Sequence, residues 1–269
     1  MIFNFLNLMF QIQIKEGTGP VFFVLVLFVA ALFFFLDKAR KGATFKIRKI
    51  AGLDAVNEAI GRATEMGKSI LYTTGLETAS HIATIASLTI LSRVAKRAAR
   101  YGTRLQVPSF DPIVMSLSQE IVRESYLEEG MVDSFKGDDI FYLTQEQFAY
   151  TAAVEGVLVR EKPATVFLMG YFYAESLLLA ETGNSIGAIQ IAGTDAVTQL
   201  PFFIVSCDYT LIGEELYAAS AYLSEDSNII SSLKAQDFGK ALLWIFLLLG
   251  SIVTFAGSTK FLSLLGAST

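Results

Sequence analysis

Residues 21–36 form an unbroken run of 16 apolar positions, VFFVLVLFVAALFFFL. Gly17, Thr18, Gly19 and Pro20 extend the run towards the roughly 20 residues that cross a bilayer core as a helix. A cleaved signal peptide is the rival reading. It would place positive charge before the run and a small-residue cleavage site after it. Here the basic residues follow the run, so the pattern predicts a retained transmembrane helix over 20–36. A second apolar stretch, ALLWIFLLLGSIVTFAG, follows Lys240 and carries Trp244, a residue suited to the membrane interface. It predicts a second span over 239–258, against the alternative of a helix buried in a soluble core.

Between the two stretches the pattern changes period. Apolar residues at helical spacing predict helices over 53–66, 79–101, 111–129, 144–160, 173–182 and 212–223. Short apolar runs predict strands over 69–73, 103–107, 139–143, 164–169, 187–192 and 202–207. The strands are near-continuous in apolar character, as in a parallel sheet covered on both faces. Asp111 followed by Pro112 is a strong helix start. Thr144 and Gln147 have the spacing of a capping box. The expected fold is α/β: a Rossmann-like or flavodoxin-like parallel sheet of about six strands, flanked by an N-terminal and a C-terminal transmembrane helix. The expected segments are 1–19, a short extracytoplasmic piece; 20–36, a span; 37–50, a basic juxtamembrane linker; 51–238, the α/β domain; 239–258, a span; and 259–269, a tail.

Charge sets an orientation. Residues 1–50 hold 7 Lys/Arg and 2 Asp/Glu, residues 51–239 hold 12 and 24, and residues 240–269 hold two Lys and no acid. Lys38, Arg40, Lys41, Lys46, Arg48 and Lys49 directly follow the first span, and basic residues near a span stay in the cytoplasm. The acidic domain is therefore expected in the cytoplasm, with both termini outside and the protein in the cytoplasmic membrane. The same six bases suit contact with anionic lipid headgroups. An acidic domain argues against nucleic acid as a partner. Only 17% of residues are charged and 53% are hydrophobic, below the roughly 25% charged of soluble domains. One cysteine, Cys207, excludes a disulfide framework, and one histidine, His81, excludes a multi-histidine zinc site.

Several stretches carry a resemblance: AIGRATEMGKSILYTTG (59–75), PSFDPIVMSLSQEIVRESYLEEG (108–130), FLMGYFYAESLLLAETG (167–183), IQIAGTDAVTQLPFFIVSCDYTLIGEELYAASAYL (189–223) and LKAQDFGKALL (233–243). They are similar to an uncharacterised bacterial family of membrane-tethered α/β domains, a domain of unknown function. The resemblance implies a membrane protein. It implies no activity, cofactor or catalytic residue.

Ligands of open α/β sheets bind outside the carboxyl ends of the strands. The candidates there are Thr74, Asp111, Glu175, Thr194 and Asp195. The three carboxylates each have a structural alternative: Asp111 and Asp195 as helix caps, and Glu175 as a first-turn carboxylate facing the helix dipole. No phosphate-binding glycine motif is present: neither G-x-x-x-x-G-K-[ST] nor G-x-G-x-x-G. No nucleophile signature accompanies His81, so no catalytic residue, metal site or cofactor is assigned. Cys207 reads as a small core residue. Tyr217 and Tyr222, in an Ala/Tyr-rich helix, are candidate interface residues. The leading expectation is a membrane scaffold that self-associates as a homo-oligomer and presents its domain to a cytoplasmic protein partner. The alternative is a membrane-anchored small-molecule or nucleotide sensor with its pocket at the strand ends.

Overall fold

The computed structural model describes residues 19–41, 51–224 and 227–255. The expected N-terminal segment 1–18, most of the basic linker (42–50) and the tail from 256 onward lie outside the described residues. The chain divides into two units: Met1–Lys46 with Ser227–Thr269, and Ile47–Asp226.

The first unit contains α1 (Gly19–Arg40) and α9 (Ser227–Phe255). Gly239 lies against Phe28: a Cβ there would meet the Phe28 ring at 2.9 Å. A residue this small lets two helices approach closely. Phe35 and Phe238 have ring centroids 6.4 Å apart. Lys38 lies over the Phe34 ring at 5.8 Å, a cation–π distance. Among the described residues one helical stretch is long and apolar enough to cross a bilayer, Ile229–Phe255, with a mean hydropathy of 2.0. The apolar stretch expected to begin at 239 is thus the distal part of a helix that starts at Ser227.

The second unit contains, in order, α2 (Ala51–Glu65), β1 (Ile70–Gly75), α3 (Ile82–Tyr101), β2 (Leu105–Ser109), α4 (Pro112–Glu128), β3 (Ile140–Tyr142), α5 (Gln147–Glu161), β4 (Thr165–Tyr171), α6 (Glu175–Ser185), β5 (Ile189–Thr194), α7 (Leu200–Ser206), β6 (Tyr209–Ile212) and α8 (Glu214–Ser224). All neighbouring strands are parallel, in the order β3-β2-β1-β4-β5-β6. That is the doubly wound order of dinucleotide-type folds, not the 2-1-3-4-5 order of flavodoxin. Helices α2, α3, α4 and α8 bury Ile60, Leu91, Val122 and Leu216 in one core. Helices α5, α6 and α7 bury Tyr150, Leu158, Leu179 and Phe203 in another. Both faces of β1 and β4 are therefore covered, which is why these strands read as continuous apolar runs.

Helix α2 is anchored at the amino ends of the strands. Thr165 at the start of β4 donates its hydroxyl to the Ala59 carbonyl at 2.8 Å. Thr64 meets Thr103, just before β2, at 2.6 Å. The carboxyl ends, where ligands of this fold bind, lie at the opposite edge.

Two expectations are corrected. The run at 202–207 is not a strand: Leu200–Ser206 is the short helix α7, and the sixth strand is Tyr209–Ile212, paired with β5 through Ile191 and Tyr209. Pro201 suits the first turn of a helix. Only Leu200 and Phe203 of α7 are buried, three residues apart, so one helical face is covered and the rest of the apolar run is not. The capping box at Thr144 also fails to form. Thr144 accepts from Glu146 N at 3.2 Å, while Gln147 donates its side-chain amide to Glu175 at 2.5 Å. A buried carboxylate on a neighbouring helix takes the side chain that would have closed the box.

Candidate functional site

The strand order reverses between β1 and β4, and there the sheet is sealed rather than open. Gly75 has φ +80° and Gly170 has φ +129°. A Cβ on Gly170 would lie 2.2 Å from the Thr74 carbonyl oxygen, and one on Gly75 would lie 2.5 Å from the Tyr171 oxygen. Only glycine allows both the backbone conformation and this approach. Leu76 N then donates to Tyr171 O at 2.9 Å, so pairing continues past a bulge to the tips of the strands.

Aromatic and acidic side chains gather over this seam. His81 caps α3, with Nδ1 accepting from Ala83 N at 3.3 Å. An accepting Nδ1 is unprotonated, which puts the ring proton of neutral His81 on Nε2. The His81 ring meets Tyr171 edge-on at 4.8 Å, and Tyr171 meets Tyr173 at 5.1 Å. Tyr173 donates its hydroxyl to Glu77. That bond and partial burial push the phenol up to about 12.

The five sequence candidates do not converge on one point. Asp111 caps α4, accepting from Ile113 N and Val114 N at 2.9 and 3.0 Å, and takes Gln145 at 3.1 Å with its other oxygen. Glu175 opens α6 fully buried, accepting from Tyr173 N at 2.7 Å and from Gln147. It is both a first-turn carboxylate and a buried one. Thr194, not Asp195, holds the turn after β5, accepting from Ala196 N at 3.1 Å. Asp195 instead accepts the Tyr217 hydroxyl at 2.5 Å. Burial and that bond push the Tyr217 phenol well above its usual range. Gln199, just before α7, accepts from Ser176 at 2.9 Å. Of the two candidate interface tyrosines, Tyr217 is thus tied to the strand end and Tyr222 is exposed. Cys207 follows α7 half-buried, its thiol pushed up to about 12 by burial and by neighbouring Asp208.

Thr74 belongs to a different group. Its hydroxyl is buried without a hydrogen-bond partner among the described residues, as are those of Thr84, Ser109 and Ser118. Ile70 pairs with Leu105 and Leu71 with Gln106. Carried along the strands, that register sets Thr74 beside Ser109. Helices α3 and α4 meet where Ser92 contacts Ser125 at 3.3 Å, and Thr84 and Ser118 each lie two turns earlier. The four unsatisfied hydroxyls therefore belong to β1, α3, β2 and α4. A buried hydroxyl without a partner is costly. Asp195 Oδ1 is a fifth such atom, at the end of β5.

The glycine seam, the Gln147–Glu175 bond and the unsatisfied hydroxyls carry no sequence motif. Only the glycine after each strand gives a weak sign of close approach. Among the described residues no group of three or more His, Cys, Asp or Glu side chains could hold a metal ion. No curated protein and no solved structure matches the chain. A family model does match, over residues 11–265, and the chain belongs to that family, described as a domain of unknown function (DUF6754).

Proposed function

We propose that the protein is an integral-membrane scaffold, self-associating and presenting its α/β unit to a protein partner at the cytoplasmic face. The observation that carries this reading is the surface of α9. Leu243, Trp244, Ile245, Leu247, Leu248, Leu249, Ile252 and Phe255 are all exposed. Apolar exposure on this scale needs lipid or protein cover. Helix α1 serves as the second span, and Lys38, Arg40, Lys41, Lys46, Arg48 and Lys49 keep its carboxyl end cytoplasmic. The strand-end carboxylates support a binding role over a catalytic one, because Asp111, Glu175 and Asp195 already hold protein donors. The test is native mass in mild detergent. Defined oligomers are expected; a strictly monomeric particle removes self-association.

A second reading, a membrane-anchored small-molecule sensor, is favoured by one observation: the unsatisfied hydroxyls of Thr74, Thr84, Ser109 and Ser118. They suit a small, uncharged polar ligand reached from the carboxyl edge. A small molecule retained stoichiometrically through purification, and lost in the Thr74→Val variant, would favour this reading over the scaffold.

A further inference from the structure

The segment that forms the β6 edge of the sheet combines exposed apolar side chains with a lack of cationic residues of its own. Residues 163–233 contain 8 Asp/Glu and no Lys or Arg. Within that stretch Val197 is 76% exposed and Val205 85%. Phe202 and Ile204 on α7, and Tyr209 and Ile212 on β6, are exposed as well. Carboxylates are fixed beside them by backbone N–H groups of β5 and β6. Asp208 accepts from Gln190 N at 2.8 Å, and Glu215 accepts from Ile212 N at 3.0 Å. Glu214 is exposed next to Glu215.

We infer that this margin, formed by α7, β6 and the start of α8, docks a cationic segment of a partner protein that also carries apolar side chains. Charge complementarity selects that occupant. Interfaces combine an apolar centre with a polar rim, and a rim of one sign favours the opposite sign and penalises its own. A second copy docking edge to edge would set carboxylates against carboxylates. Strand pairing with a second copy is further opposed because the Ile212 N–H is already taken by Glu215; occupied edge groups are a known guard against such pairing. An anionic lipid surface meets the same repulsion. A basic segment with two or three apolar residues satisfies both features, its apolar side chains covering Val205, Ile204 and Val197 and its bases facing Asp208 and Glu215.

The inference rests on the scaffold reading and names the chemistry of its partner. Its test is site-specific photo-crosslinking in native membranes, with benzoylphenylalanine at position 205 of the full chain. Adducts are mapped to the residue. The expected adduct is a segment of another protein with net positive charge. Its yield should fall at least fivefold at about 1 M salt, where charges are screened beyond roughly 3 Å. A similar fall is expected in the Glu215→Gln variant, which retains an acceptor for Ile212 N. An unchanged melting temperature shows that this variant folds. Adducts to lipid, to a second copy, to a neutral or acidic segment, or to nothing overturn the inference. Native mass and membrane topology do not depend on this margin, so the scaffold reading can survive its failure.

Discussion

Several carboxylates on the β1–β3 side of the sheet are paired with cations, whereas Glu175, Asp195, Asp208 and Glu215 on the β4–β6 side are held by neutral donors. On the first side Arg104 grips the buried carboxylate of Asp139 at 2.6 Å and reaches Glu161 at 3.2 Å. Arg100 pairs with Glu129 and Arg123 with Glu120, each at 2.8 Å, and Lys96 pairs with Glu128. On the second side Glu175 is held by an amide side chain and a backbone N–H, Asp195 by a phenol, and Asp208 and Glu215 by backbone N–H groups. Neutral donors fix a carboxylate without cancelling its charge. The ion pairs of the first side cancel charge locally, whereas these four carboxylates keep theirs at defined places, which is the property a cationic partner requires.

The sharpest way to break this arrangement is at the seam that joins the two sides. Gly170→Ala drives a Cβ to 2.2 Å from the Thr74 oxygen at φ +129°. A loss of about 4 kcal/mol is expected, measured as thermal or denaturant unfolding of the detergent-solubilised chain. Gly156→Ala, inside α5 with open space around it, should instead stabilise by about 0.5–1 kcal/mol. The next largest effect tests the ion-paired side. Arg104→Gln leaves Asp139 buried without its guanidinium. A loss of about 2 kcal/mol is expected, less than the 3–5 of a fully buried pair because the Arg104 side chain is 47% exposed.

Glu175→Gln probes the other side. The amide oxygen still accepts from Tyr173 N, but its NH2 group now faces the amide of Gln147. A loss of about 1 kcal/mol is expected, and raising salt should change the melting temperature of this variant and of the parent equally. The smallest effect concerns acid. Hydrogen bonds from Arg123 and Arg100 hold the Glu120 and Glu129 carboxyls below their ordinary 4.5. A depressed folded value adds stability above the unfolded value and loses it as pH falls through the folded one. Melting should therefore weaken slightly below about pH 4.5. An Arg100→Gln/Arg123→Gln variant should show a shallower decline, and an identical decline would remove these pairs from the account.

Much of the fold is legible because its signals are local. Gly67, Gly102 and Gly130 follow helices and adopt positive φ, and the Asp111–Pro112 start forms the cap expected of it. Five of the six strands lie within a few residues of their expected positions. The failure at 202–207 is also physical. A short apolar run has no period long enough to distinguish strand from helix, and here a proline in the first turn and partial exposure decide for helix. The site was less legible because its geometry is tertiary. That Gln147 would reach Glu175, or Tyr217 reach Asp195, follows from the packing of elements 28 and 22 residues apart. The absence of Lys and Arg from residues 163–233 is plain in the sequence. Its meaning comes from β6 being an edge with α7 too short to cover it.

The central claim is that an acidic α/β unit is held between two membrane spans with its surface in the cytoplasm. The direct measurement is labelling of a single cysteine, Ser80→Cys in a Cys207→Ser background, with a membrane-impermeant maleimide. Ser80 is exposed on the α/β unit. The account predicts no labelling in intact cells and full labelling after permeabilisation. Labelling in intact cells would contradict it.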